Sequence, residues 1–470
     1  MTLLRDLAGL VPGIALPWIA GTLFVVALDR RADGPRWLHG AGYGYVLGAF
    51  AATALMRALS AVGVHWNVPV LALPMLALAA LLAWSTRRSL QPGSVRARCS
   101  SAVRNIATLP AWPRGVFLAC LALVAIRIAG LALEVAWRPL LAWDSWTQWA
   151  TKARVWFEFR WMAPFVSQQE WLASGDPMRF VDMHSYYPAT VPLLQTWTGI
   201  FLGRWDESLM NAPWVVVVVA LGIAFYAQLR RAGESAPRAM LGTYLLLSLP
   251  LLDIHVALAG TADIFIAVTY GLAAISLWHW ARTGDRSDLA LAVAMALIAM
   301  TIKVEGLLWA LTLVPPAIVA VNRRLGLGLV AALVAAALLF LALGPEELPL
   351  FGYVLRTRFT NVTLPLAQHL FVMDNWHLLW YAAAALIVLR YRRALAPDVL
   401  PMTVTMLAAC GLVLVVFYFS SAAGGVDDES LVNRMLLQVV PALAFYVALL
   451  LRPIDAARRS SQLQANAADA

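Results

Sequence analysis

Eight residues of this chain could do chemistry: the carboxylates Asp144, Asp263 and Glu305, the cations Lys152, Lys303 and Arg434, the imidazole of His184 and the phenol of Tyr187. Each lies at the end of an apolar run or in a loop beside one. A carboxylate within hydrogen-bond reach of a hydroxyl can take its proton. Cations hold a phosphate and stabilise charge developing on a phosphate leaving group. The combination suits transfer from a phosphate-activated lipid. Asp144 opens the longest polar, aromatic insertion of the chain, residues 141–188, which closes on His184-Ser-Tyr186-Tyr187-Pro188.

Two of these residues stand out by type. Of 35 basic residues only Lys152 and Lys303 are lysine. An ammonium is a compact, rotatable point charge where a guanidinium is a rigid fork, so a chain that otherwise uses arginine retains lysine where that difference matters, or by chance. Each candidate also has a plainer role. Asp144 and Asp263 could be helix caps. Lys152 and Arg154 could anchor a helix to lipid phosphates, and His184 could be a solvated loop histidine. Lys303 and Glu305 could be a surface pair, and Asp427-Asp428-Glu429 a solvated acidic turn.

The elements that must position these groups are membrane helices. The chain has 470 residues, 61% hydrophobic and 13% charged, with mean hydropathy +0.74. Apolar runs near ~20 residues recur along it, each long enough to cross a bilayer. Backbone polar groups cannot be left bare in lipid, and the continuous runs lack the alternation of a barrel. The fold class is therefore an all-α polytopic membrane protein, with about thirteen spans. These run over 10–28, 40–60, 67–84, 114–134, 210–229, 239–256, 264–281, 288–302, 307–321, 328–343, 374–391, 399–419 and 434–451. The first is read as a retained span rather than a cleaved signal. The net charge of +9 comes from arginines in short loops, which set topology. It does not point to nucleic acid. Neither a disulfide framework nor a Cys/His metal cluster is legible in three dispersed cysteines.

Arg30, Arg31 and Arg36, and the loop after the third span, belong in the cytoplasm by the positive-inside rule. That puts the N-terminus outside, the C-terminus inside, and all eight candidate residues at the outer face. Within the insertion, Trp146, Trp149, Ala153 and Trp156 share one helical face, and Asp144, Gln148, Thr151 and Lys152 the other. This predicts an interfacial helix with tryptophans toward lipid and polar groups toward water. The short apolar run 189–203 cannot cross without inverting the later loops, so it should dip in and return or lie along the outer surface. Arg127, inside a span, is a functional candidate or a partner for Glu134. The organisation read from this is an N-terminal three-span unit (1–88), a basic linker (89–113), a core (114–451) with the outer loop 135–209, and a cytoplasmic tail (452–470).

Four features resemble the GT-C glycosyltransferases, integral-membrane enzymes that use polyprenyl-phosphate-linked sugars. Within them the chain is similar to bacterial relatives of protein mannosyltransferases and of the aminoarabinose transferase acting on lipid A. The features are Trp143-Asp144-Ser145 directly after a span; Tyr186-Tyr187-Pro188 followed by Phe201-Leu-Gly203 and Asp206-Glu207; Ala262-Asp263-Ile264 with Lys303-Val-Glu305-Gly306; and Arg434 through Pro441 in the last span. The resemblance covers roughly residues 114–451. It implies Asp144 as the base of an inverting displacement at an anomeric carbon, with polyprenyl phosphate leaving. Lys303 and Arg434 would be phosphate-side cations, ahead of Lys152 and His184. Asp263, Glu305 and Tyr187 would bind substrate or shape the cavity. The donor is then a polyprenyl-phosphate-linked sugar and the acceptor an envelope glycan, lipid or protein, with the bacterial cytoplasmic (inner) membrane as the setting. No cofactor is implied with certainty, and a divalent metal stays open. The chain departs from the family pattern in having Asp144-Ser145 where an acidic pair is common, and His184 where lysine is common. Two other classes stay open: an O-antigen polymerase or ligase, which would use Arg356 and Arg358 in the loop 344–373, and a transporter or flippase.

Overall fold

The computed structural model describes residues 2–29, 37–87, 100–101, 104–350 and 353–452. The basic segments 30–36 and 88–99, and the tail from 453, lie outside the described residues. The described residues are 77% helical with almost no sheet, as in an all-α polytopic membrane protein. Among the described residues nine helices are long and apolar enough to cross a membrane. A tenth arises if Ala236–Leu247 and Pro250–Ala257, bent by 60° at their junction, form one span. Three of the thirteen expected spans fall on shorter helices: 288–302 on Arg286–Ile302, 307–321 on the broken run Glu305–Val321, and 374–391 on Leu379–Leu389.

The chain forms two compact units, residues 1–272 with 293–307, and residues 273–292 with 308–470. The first three helices, read from the sequence as a unit of their own, fall within the first. The helices Thr2–Leu28 and Trp37–Ala61 pack closely because glycine lines the contact. A Cβ on Gly48 would lie 1.7 Å from Pro17 O. Small residues at such contacts let helix backbones approach where no hydrophobic force drives them together. Trp37–Ala61 also packs on Ala212–Arg231.

The run 189–203 forms a helix, Thr190–Leu202, in which all thirteen residues are buried. At about 20 Å it is too short to cross a ~30 Å hydrocarbon core. It is enclosed by Thr2–Leu28, Trp37–Ala61 and Ala150–Phe159. Trp197 Nε1 donates to Gly13 O at 2.8 Å. The insertion helix also differs from the expected interfacial ribbon. It opens with a π-helical turn, Ser145–Trp149, and continues as Ala150–Phe159. Trp149, Ala153 and Trp156 are buried in protein, as is Lys152 on the other side, and Trp146 is exposed. Both faces are covered because Thr190–Leu202 packs on one and the 180–187 turn folds over the other.

Arg127 pairs with Asp253 at 2.5 Å and donates to Ser248 O at 2.9 Å. Glu134 is taken instead by Arg138, one turn along, at 2.6 Å. A charge inside a span is costly unless paired, and Ser248, at the break between Ala236–Leu247 and Pro250–Ala257, and Asp253, in the first turn of the second helix, are the partners of this one.

In the second unit, Trp309 Nε1 donates to Gln438 Oε1, and Arg393 makes a two-pronged contact with Asp398 at 2.7 and 2.8 Å. The strands Glu347–Leu350 and Tyr353–Arg356 pair antiparallel. Arg356 N donates to Phe419 O at 2.7 Å, tying them to the end of Leu400–Tyr418.

At one end of the first unit the connecting segments are bound to one another. Trp66 N donates to Arg160 O at 2.7 Å, and Met162 N to Ser60 Oγ at 2.9 Å. Single cysteines at the exposed positions Val64 and Met183, in a chain with Cys99, Cys120 and Cys410 replaced, should therefore react with an impermeant maleimide from the same side of the membrane. Labelling from opposite sides contradicts the fold.

Candidate functional site

Lys303 sits in the two-residue turn between the helices Arg286–Ile302 and Glu305–Thr312. Its ammonium lies 3.2 Å from Asp263 Oδ1 and 3.1 Å from Glu305 Oε1. All three residues are buried, exposed by 5% or less. The local reason is helix polarity. A cation is favoured at a helix C-terminus and carboxylates in the first turn. Lys303 follows one helix, and Glu305 and Asp263 each open another. The surface pair considered from sequence is thus a buried triad, and Asp263 spends its carboxylate on Lys303. Formally the triad carries two carboxylates against one ammonium.

Lys152 makes a second buried ion pair. Its ammonium is 2.5 Å from Asp182 Oδ2 and donates to His184 O at 2.9 Å. His184 N donates to Asp182 Oδ1 at 2.9 Å, closing the turn, and Tyr187 N donates to His184 O at 3.0 Å. Lys152 is therefore neither a lipid anchor nor water-facing. Burial pushes its ammonium down from the usual lysine range, and the Asp182 carboxylate offsets this only in part. Arg154, two residues on, is the exposed member and pairs with Glu158 at 2.9 Å. The clamp fixes an aromatic group: Tyr187 stacks on Trp149 with centroids 5.4 Å apart and lies 4.9 Å from the His184 ring.

Tyr187 connects the two ion-pair clusters. Burial raises its phenol well above the usual range, and the Glu305 charge adds to this while Lys303 opposes it. Tyr186 is raised by burial first, then by Glu305 and Asp182. Both phenols therefore keep their protons and can donate hydrogen bonds at neutral pH.

Asp144 is half-buried, in αR conformation, and its side chain makes no cap hydrogen bond to the turn that follows, so the cap role does not hold. The next residue locates it. Ser145 Oγ donates to Ala259 O at 3.1 Å, and a Cβ on Gly260 would lie 2.6 Å from Ser145 Cβ. Gly260 has φ +104°, a conformation that a side chain would strain. Glycine is required twice over, and the Asp144-Ser145 turn rests on the loop that leads three residues later into Asp263. Thr261 Oγ1, in that loop, is buried without a hydrogen-bond partner among the described residues. π-Turns are rare and occur often at functional sites.

The first unit thus gathers Lys152, His184, Tyr187, Asp263, Lys303 and Glu305, with the Asp144 turn against the Asp263 loop. Arg434 lies half-buried in the first turn of Val432–Leu451, in the second unit. Asp427, Asp428 and Glu429 are exposed, as the plainer reading had it. Sequence reasoning passed over Asp182. Its partner is thirty residues away, and no spacing rule connects them. Among the described residues no group of three or more His, Cys, Asp or Glu side chains could hold a metal.

No family model matches the chain, and neither a curated protein nor a solved structure matches it.

Breaking a buried ion pair from one side leaves an uncompensated charge, at a cost of about 3–5 kcal/mol. Lys303→Met should therefore lower the stability of the detergent-solubilised protein by about that much. Adding Asp263→Asn and Glu305→Gln should recover most of the loss. A triple variant no more stable than Lys303→Met would show that the triad does not act as a unit.

Proposed function

We propose that the protein is a membrane glycosyltransferase of GT-C type, moving a sugar from a polyprenyl-phosphate donor to an acceptor hydroxyl on the extracytoplasmic side. The observation that supports it best is the convergence, within one unit, of the Asp144 turn on the Asp263 loop. Asp263 in turn shares Lys303 with Glu305, beside Tyr187. Asp144 makes no cap hydrogen bond to the turn that follows and is half-buried. It would take the proton from the acceptor hydroxyl as that oxygen attacks the anomeric carbon. The bond to the phosphate oxygen breaks with inversion, and polyprenyl phosphate leaves. Asp263 and Glu305 would orient the sugar, and the protonated phenols of Tyr186 and Tyr187 would donate to substrate oxygens.

The two lysines take a different part from the one expected. Each is matched by carboxylates of the chain, so their role is to hold the site's shape rather than to meet the donor phosphate. Arg434 stays a proposed phosphate-side cation on the resemblance alone. The polymerase or ligase alternative rests on Arg356 and Arg358. Arg356 is matched by Glu347 at 3.1 Å, which leaves that reading one arginine.

A base in an acyl- or glycosyl-transfer step is worth about 10²–10⁴ in rate. Asp144→Asn should cut transfer at least ~100-fold with protein level unchanged, read by mass spectrometry of envelope glycans and glycolipids in a deletion strain complemented with either form. Wild-type-like products from the variant would sink the assignment.

A further inference from the structure

A phosphate-linked donor needs a cation, and in the first unit both lysines are already matched. Arg57 is different. It lies on Trp37–Ala61, one turn from the end that joins the bound connecting segments, and is half-buried. Its Nη2 donates to Thr190 Oγ1 at 2.7 Å. Thr190 Oγ1 in turn donates to Thr301 O at 2.7 Å. Thr190 stands three residues after Tyr187, and Thr301 two before Lys303. The guanidinium is therefore held where the tyrosine turn and the Lys303 turn meet.

Several cations of the spans and site have carboxylates: Arg127 with Asp253, Lys152 with Asp182, Lys303 with Asp263 and Glu305, Arg393 with Asp398. Arg57 has a hydroxyl, and among the described residues no carboxylate lies within ion-pair distance of it. A hydroxyl positions a guanidinium without neutralising it. An ionisable side chain within a membrane helix is by default a functional-site candidate. A guanidinium suits phosphate because its fork matches two phosphate oxygens at once.

We propose that Arg57, held by Thr190, binds the phosphate of the polyprenyl-phosphate donor, so that the N-terminal helices complete the site. This rests on the glycosyltransferase reading and adds to it a residue from outside the region that resembles that family. The phosphate of an ordinary phospholipid offers the same chemistry, and the test separates the two.

Purified full-length protein in nanodiscs is challenged with polyprenyl phosphate, phosphatidylglycerol or inorganic phosphate, and retained lipid is read by native mass spectrometry. Wild type should retain polyprenyl phosphate over phosphatidylglycerol. Arg57→Gln should weaken retention at least tenfold, and Arg57→Lys, which keeps the charge but not the fork, should weaken it less. In a transfer assay both variants should raise KM for the donor more than they lower kcat. Wild-type retention of polyprenyl phosphate by Arg57→Gln overturns the proposal and leaves the glycosyltransferase reading standing. So does a variant that melts lower yet still binds. If Arg57→Gln does not fold, Arg57→Lys decides: unchanged retention and KM overturn the fork contact. Equal retention of phosphatidylglycerol by wild type makes Arg57 a lipid-surface contact and overturns the donor assignment. Retention of neither lipid overturns both readings.

Discussion

An ammonium buried in a membrane protein must find carboxylates, and the position of nearly everything around the site follows from how this chain meets that demand. Lys303 is held by Asp263 and Glu305 at 3.2 and 3.1 Å, with all three out of solvent. The helix opened by Asp263, the Lys303 turn and the helix opened by Glu305 are thereby fixed to one another. Lys152 repeats the device with Asp182 and so fixes the turn carrying His184 and Tyr187. Desolvating an ion pair can cost as much as the attraction returns. These pairs are therefore better understood as geometric constraints than as sources of stability: they allow one arrangement of four connecting segments.

Much of the fold was legible because lipid simplifies the problem. A bilayer requires ~20 apolar residues per helix and short basic loops on one side, and nine of the expected spans fall on helices long and apolar enough to cross among the described residues. The parity of the arginines also read 189–203 as a run that does not cross, and its helix, Thr190–Leu202, is short for a span. It could not show that this helix would be enclosed, since burial against protein and burial against lipid select the same side chains. The same ambiguity misassigned the faces of the insertion helix: Trp149 and Trp156 read as lipid-facing and instead pack inside. A π-turn at Ser145–Trp149 breaks the regular spacing on which that reading relied.

The candidate site was legible as a set of residue types and not as a set of pairs. Asp263, Lys303 and Glu305 came out together because each sits at a helix end. Asp182 was missed, the Asp253 partner of Arg127 was not foreseen, and Arg57 was not singled out, all for one reason. Each depends on a contact across distant segments, and one sequence carries no signal of such contacts. The pairing changes the chemistry. Lysines expected to meet a phosphate are matched by carboxylates of the chain itself, and the proposed phosphate contact is a guanidinium held by Thr190.

The central claim is that the Asp144 turn, the Lys303 triad and Arg57 enclose one donor site. A density map of the protein in nanodiscs with polyprenyl phosphate bound tests it most directly. The expected result is a phosphate within ~3 Å of the Arg57 guanidinium, with the Asp144 carboxylate facing the same space. A phosphate bound away from Arg57, or an Asp144 turned toward lipid, contradicts it.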